Sequence, residues 1–163
     1  MMKSERITRK DKTGKSFEIG ICCDEDLSSL LEMYRCFSPK PASQGLPPED
    51  PEVCHNWVKN LFEIGENLLV WRGDRVIGHA SLVLDRGGKS GEFVVFVDQN
   101  NRNFGIGTEL TCFALERARR LGLESIWLTV NISNFIAIKL YKKIGFEYCD
   151  RDRDERVMII KCI

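Results

Sequence analysis

Residues 92–121 read EFVVFVDQNNRNFGIGTELTCFALERARRL. A short apolar, β-branched run, Phe93 to Val97, gives way to polar Asp98-Gln99-Asn100-Asn101 and then to Arg102-Asn103-Phe104-Gly105-Ile106-Gly107. Ile106, Leu110, Phe113, Ala114, Ala118 and Leu121 follow at three- and four-residue steps, which puts them on one helix face. The order is strand, polar turn, glycine-punctuated helix start, amphipathic helix. The first N–H groups of a helix have no intrahelical partner, and the dipole there favours negative charge. Gly105 and Gly107 present no side chain to hold a ligand off the backbone. The segment therefore predicts an anion site at the start of this helix, sized for a phosphate or pyrophosphate.

Two familiar phosphate loops do not fit. No Gly-Lys-Ser/Thr follows these glycines, as a Walker loop requires. The third glycine and the acidic residue of a dinucleotide fingerprint are not clear either, since the next strand ends Thr129-Val130-Asn131. The same two glycines would also serve close packing of the helix on the sheet, and alone they do not choose between the two roles.

A second block supplies the choice. Arg102-x-x-Gly105-x-Gly107 after a valine-rich strand resembles the Q/R-x-x-G-x-G/A motif of the GNAT superfamily, the acetyl-CoA-dependent N-acetyltransferases. Asn134-x-x-Ala137-x-x-Leu140-Tyr141-x-x-x-Gly145-Phe146 is similar to that family's later helix and the strand after it. One helix and one strand separate the blocks, as in the family, and together they cover residues 92–147. The resemblance implies an α/β fold: a central twisted mixed sheet of six or seven strands, helices on both faces, and two central strands that splay apart. It implies acetyl-CoA as acyl donor. The backbone of Val95 and Val97 would pair with the pantetheine arm. Arg102, Asn103, Phe104, Gly105, Ile106, Gly107 and Thr108 would hold the phosphates. Asn134 would bond the arm or cap its helix, with Ser133 competing for the cap.

Composition sets bounds on the rest. A chain of 163 residues suits one domain, and 43% hydrophobic with 29% charged residues is an ordinary globular balance. Lys plus Arg equals Asp plus Glu at 24 each, so there is no global pull toward nucleic acid or a membrane surface. No apolar run approaches a membrane span and no signal-peptide core opens the chain. The seven cysteines form no C-x-x-C pair, and the histidines are two, so no metal site is expected and reduced thiols in a cytoplasmic protein are. Residues 1–16 are polar and aperiodic and predict a flexible segment before a single N-acetyltransferase domain over 17–163. A homodimer is left open.

Along the chain, Phe17 to Cys23 predicts a strand. Asp24 would cap a helix with Leu27, Leu30, Leu31 and Tyr34 inward. All five prolines lie in the loop from Ser38 to Pro51. Glu52 to Ile64 predicts a helix with Val53, Trp57, Leu61 and Ile64 on one side. The family builds its acceptor pocket from this region. Leu68–Trp71 and Arg75–Leu84 predict a hairpin about Gly73-Asp74. Gly91–Val97 is the motif strand, and its helix stops at Gly122. Ser125–Val130, the helix Asn134–Ile144, and the strand pair Phe146–Cys149 and Val157–Cys162 follow. Alternating charges over Asp150–Arg156 predict a solvated hairpin tip.

The reaction implied is acyl transfer from a thioester to an amine, which is mostly protonated near neutral pH and must lose a proton before it attacks. Glu92 is the first candidate for the base. A Glu-Phe before the valine-rich strand is similar to the catalytic glutamate of bacterial protein-lysine acetyltransferases. A solvent-facing strand-end glutamate is the plainer reading, and Asp98 and Glu147 rank below. A regular strand turns Glu92 to the side of Val94 and Phe96; a bulge, which the resemblance implies, would turn it into the cleft. Tyr141, in the Leu140-Tyr141 pair, is the candidate acid for the departing thiolate, against a role as a core aromatic. The protein-lysine group often lacks that tyrosine. His79 could face the acceptor but reads more simply as structural. The expected function is acetyl transfer to a primary amine, of a small molecule or a protein lysine, by direct attack, with a protein-lysine acetyltransferase as the alternative reading. A non-catalytic acyl-CoA-binding module is a further alternative, which the pairing of Glu92 with Tyr141 disfavours.

Overall fold

The computed structural model describes residues 5–38, 47–151 and 155–162. Twelve elements succeed one another: β1 (Ile7–Lys10), β2 (Ser16–Ile21), α1 (Leu27–Arg35), α2 (Pro51–Ile64), β3 (Glu66–Arg72), β4 (Arg75–Leu84), β5 (Ser90–Val97), α3 (Ile106–Arg120), β6 (Ser125–Asn131), α4 (Phe135–Ile144), β7 (Glu147–Arg151) and β8 (Glu155–Lys161). They form an eight-stranded sheet in the order β1-β2-β3-β4-β5-β6-β8-β7. Neighbouring strands run antiparallel except β5 and β6, which are parallel because α3 connects them as a crossover.

Helices cover both faces. α3 and α4 pack over one, where Ile106, Leu110, Ala114 and Ala118 meet Phe93, Ile126 and Leu128. α1 and α2 pack over the other, where Leu30, Tyr34 and Val58 meet Leu69, Trp71 and Phe96. Asp50 caps α2 by accepting from the N–H groups of Glu52 and Val53, and Pro51 opens it, where a missing N–H costs nothing.

Three expectations need correction. The sheet has eight strands, not six or seven, because Ile7–Lys10, in the polar segment before Phe17, forms an additional edge strand. Ile7 to Lys10 pairs with Ser16 to Ile19, and the Arg6 guanidinium lies 3.7 Å from the Trp71 ring centroid. All four β1 side chains are exposed, so the strand rests on backbone pairing and leaves no apolar period to read. In α2 the inward residues are Cys54, Val58 and Leu61, while Val53 and Ile64 are exposed. The strands β7 and β8 reach into the charged segment, to Arg151 and from Glu155. The proline-rich stretch 39–46 and the tip 152–154 lie outside the described residues.

His79 is wholly buried between the layers. Its Nδ1 accepts from the Tyr34 hydroxyl at 2.7 Å and its Nε2 donates to Asn67 Oδ1 at 2.8 Å. Asn67 Nδ2 in turn donates to the carbonyls of Leu61 and Gly65. The ring thus ties α1, β4, β3 and the end of α2 together, and it is structural. Burial pushes its pKa from 6.5 down to about 3. Between those values the unfolded chain binds a proton that the folded chain refuses. The stability it contributes is therefore complete above about 6.5 and is lost as pH falls toward 3, by up to about 1.4 kcal/mol per pH unit. Urea unfolding at pH 7 and pH 5 should show the parent losing about 2 kcal/mol more than His79→Gln. Equal losses would contradict this.

Candidate active site

The site is a wedge in the sheet. β5 stays in register with β4 from Gly91 to Val97, and β6 with β8 from Ser125 to Asn131. Between β5 and β6, however, pairing is confined to Ser90, Glu92 and the residue between them, opposite Ser125 to Trp127. Beyond Glu92 the two strands part, and among the described residues the β5 edge from Phe93 onward has no strand partner on that side. An extended arm bearing amides would find unpaired backbone there.

At the open end lies the glycine loop. Asp98 accepts from the N–H of Asn100 and the amide of Asn101, closing a short 3₁₀ turn. That explains its burial without a catalytic role. Arg102 Nε donates to the Val97 carbonyl at 2.9 Å, and its guanidinium lies 5.0 Å from the Phe37 ring centroid. Asn103 has φ of 66°, a left-handed conformation that asparagine tolerates. Gly105 is the N-cap of α3 with φ of 89°, so a side chain there is strained. The helix starts one residue later, at Ile106, and the N–H groups of Ile106, Gly107 and Thr108 lack upstream partners. The Ile106 side chain is in the core, so it can offer only backbone. A Cβ on Gly107 would meet Leu140 at 3.4 Å, so that glycine also lets α3 and α4 approach.

α4 begins at the same end. Asn134 Oδ1 accepts from Ala137 N–H at 3.2 Å, which makes Asn134 the cap; Ser133 instead donates to Asn131. Tyr141 is buried against Phe146, ring centroids 5.5 Å apart. Its hydroxyl makes no hydrogen bond among the described residues. Burial pushes its pKa well up, so it is a neutral proton carrier at physiological pH.

Glu92 stands where the pairing ends. The unbroken β4–β5 register keeps strand alternation regular: Phe93, Val95 and Val97 face α3, while Val94 and Phe96 face α1 and α2. No bulge turns Glu92, which lies on the Val94–Phe96 side. Its register partner Trp127 lies on the same side, and Trp127 Nε1 donates to Asp85 Oδ2 at 3.0 Å. Ser90 Oγ donates to the same carboxylate oxygen. Partial burial, and then the charge of Asp85, raise the Glu92 pKa. A raised pKa makes the ionised carboxylate a stronger base than an ordinary surface glutamate. Sequence reading missed Asp85 and Trp127. The signal was period two: Asp85, Glu92 and Trp127 each sit two residues from other positions on that face. Glu147 is exposed on β7 and, among the described residues, makes no hydrogen bond or ion pair with this group.

Acid and base candidates therefore flank the wedge, Tyr141 on the α3–α4 side and Glu92 on the α1–α2 side. The unpaired β5 edge, the glycine cradle and the unpartnered Tyr141 hydroxyl together fit a long thioester carrying phosphates. Among the described residues no three His, Cys, Asp or Glu side chains gather as a metal site, and no helix is long and apolar enough to cross a membrane.

The sheet order, wedge and glycine loop define an acyltransferase-type fold, and the sequence agrees. The profile of the acetyltransferase (GNAT) family matches residues 27–146, and the chain belongs to that family. A mycothiol acetyltransferase of Geodermatophilus obscurus is 36% identical over 91 residues, 52% of this chain and 30% of that protein. The chain thus spans less than a third of that relative. Among solved structures, the GNAT domain of S. lividans PAT superposes with a TM-score of 0.83 at 15% identity, covering 96% of each chain. The acetyltransferase yncA of Salmonella typhimurium, solved with its cofactor acetyl-CoA, gives 0.73 at 19% identity over 90% of this chain and 94% of that one. These likenesses establish the fold, the mixed sheet expected from sequence, and a family that uses acetyl-CoA.

Proposed function

We propose that this protein transfers the acetyl group of acetyl-CoA to a primary amine by direct attack. The observation that carries the reading is the wedge, whose β5–β6 pairing stops at Glu92. The donor supplies an activated acyl carbon. Backbone of Val95 and Val97 would align its arm, and the start of α3 would bind its phosphates. Glu92, directly or through water, would take the proton that the ammonium must lose. The nitrogen then forms a bond to the acyl carbon, the carbon–sulfur bond breaks, and the nitrogen sheds its second proton to water as the neutral amide forms. Tyr141 would give its proton to the departing sulfur and regain one from solvent. Nitrogen gives up two protons and sulfur gains one, so each turnover releases one proton to solvent, and no covalent enzyme adduct is needed.

One feature favours a protein lysine as second reading. Beside Glu92, Trp127, Thr129, Val157 and Ile159 remain partly exposed on the same sheet face, and α1 and α2 pack instead over β3, β4 and Phe96. A lysine on a folded partner could reach such a face. The test is release of CoA thiol from acetyl-CoA against a panel of small amines and lysine peptides. Amine-dependent release is expected. CoA binding without release from any acceptor would instead favour a binding module.

A further inference from the structure

We propose that Lys12, on the turn between β1 and β2, is a phosphate ligand of the donor site. The inference rests on the reading of that site as a CoA site. The turn is built around Asp11, which is almost wholly buried. Its Oδ1 accepts from the N–H of Thr13 at 2.8 Å, the Thr13 hydroxyl at 2.6 Å and the N–H of Lys15 at 3.1 Å. Its Oδ2 pairs with Arg72 of β3 at 2.8 Å. The Thr13 hydroxyl and Arg72 hold this carboxyl far below the usual range, so the turn stays intact across ordinary pH.

This fixed turn docks on the glycine loop. Lys12 N–H donates to the Phe104 carbonyl at 2.9 Å. The Lys12 side chain then runs along Gly105: its Cγ and Cε each lie 3.5 Å, and its Cδ 3.9 Å, from where a Cβ on Gly105 would be. The stem therefore carries the ammonium across the start of α3. That ammonium makes no ion pair among the described residues. The nearby acidic residue of the first helical turn, Glu109, is paired with Arg9 at 3.9 Å. A cation beside a helix N-terminus meets the positive end of the dipole, which is unfavourable. An anion between them reverses the sign of both interactions. Gly105 keeps the space beneath the stem clear, so the lysine, the glycine and the free N–H groups converge on one place.

The probes are CoA, dephospho-CoA, which lacks the 3′-phosphate, and pantetheine, titrated calorimetrically into the full chain. Lys12→Ala should weaken CoA binding about 10-fold and Lys12→Glu more, while Lys12→Arg stays near the parent. Lys15→Ala, a charge-matched change on the same turn, should leave it within about two-fold. Pantetheine affinity should be the same for all. Equal loss with CoA and dephospho-CoA assigns the contact to the pyrophosphate; loss confined to CoA assigns it to the 3′-phosphate. The thermal midpoint of ligand-free Lys12→Ala should not fall below the parent's. Unchanged CoA affinity in Lys12→Ala, or a loss matched by Lys15→Ala, overturns the proposal while leaving the CoA site standing. Failure of the parent itself to bind CoA overturns both.

Discussion

Glu92→Gln is expected to lower acetyl transfer by about 10²- to 10⁴-fold while leaving CoA affinity nearly unchanged. The substitution keeps size and hydrogen-bonding capacity and removes only the ability to take a proton. Position explains the split: Glu92 lies on the sheet face toward α1 and α2, away from the glycine loop and its helix start. The pH profile gives the finer test. Partial burial and the nearby Asp85 raise the Glu92 pKa, and a base works only when ionised. The acid limb of the parent's rate should therefore sit above the ordinary carboxylate range, with rate rising as pH rises. Asp85→Asn removes the repelling charge and should move that limb to lower pH. Identical rates for parent and Glu92→Gln across the range would make Glu92 a surface residue, with free amine supplied by its own equilibrium.

Tyr141→Phe is expected to cost a similar factor, about 10²-fold or more, for the opposite proton. The ring is buried against Phe146, so phenylalanine preserves packing and the variant should melt within a few degrees of the parent. The parent hydroxyl has no partner among the described residues, so its removal strands no other group. That separates the acid role from the packing role. The loss should shrink with acetyl donors whose leaving thiol is more acidic, because such a thiolate needs less help. An unchanged rate, with acyl transfer shown to limit turnover, would leave Tyr141 as core.

The fold was legible where side chains alternate against a core. β5 and α3 could be read because one face of each is buried, and Gly122 and Gly145 mark helix ends with positive φ. β1 was not legible, because all of its side chains are exposed and backbone pairing leaves no trace in composition. The helix start at Gly105 was legible from the glycine spacing, but the Lys12 stem that runs beside it was not, being one of many lysines in a polar segment. The Glu92 environment was half legible. Strand period gave its face, but the Trp127–Asp85 hydrogen bond spans 42 residues and depends on how three strands line up. His79 could not be resolved from sequence, since a buried neutral histidine and a catalytic one look alike until Tyr34 and Asn67 are found beside it.

The claim on which everything else depends is that CoA binds in the wedge with its phosphates at the start of α3. Calorimetric titration of CoA into the parent and into Gly105→Glu tests it. The glutamate sets bulk, negative charge and a strained φ where the phosphates should lie, so binding should fall about 100-fold or more, from one CoA per chain in the parent. Circular dichroism should show the variant folded, since Gly105 precedes the helix and its Cβ would meet only the flexible Lys12 stem. A folded Gly105→Glu that binds CoA as tightly as the parent would contradict the account.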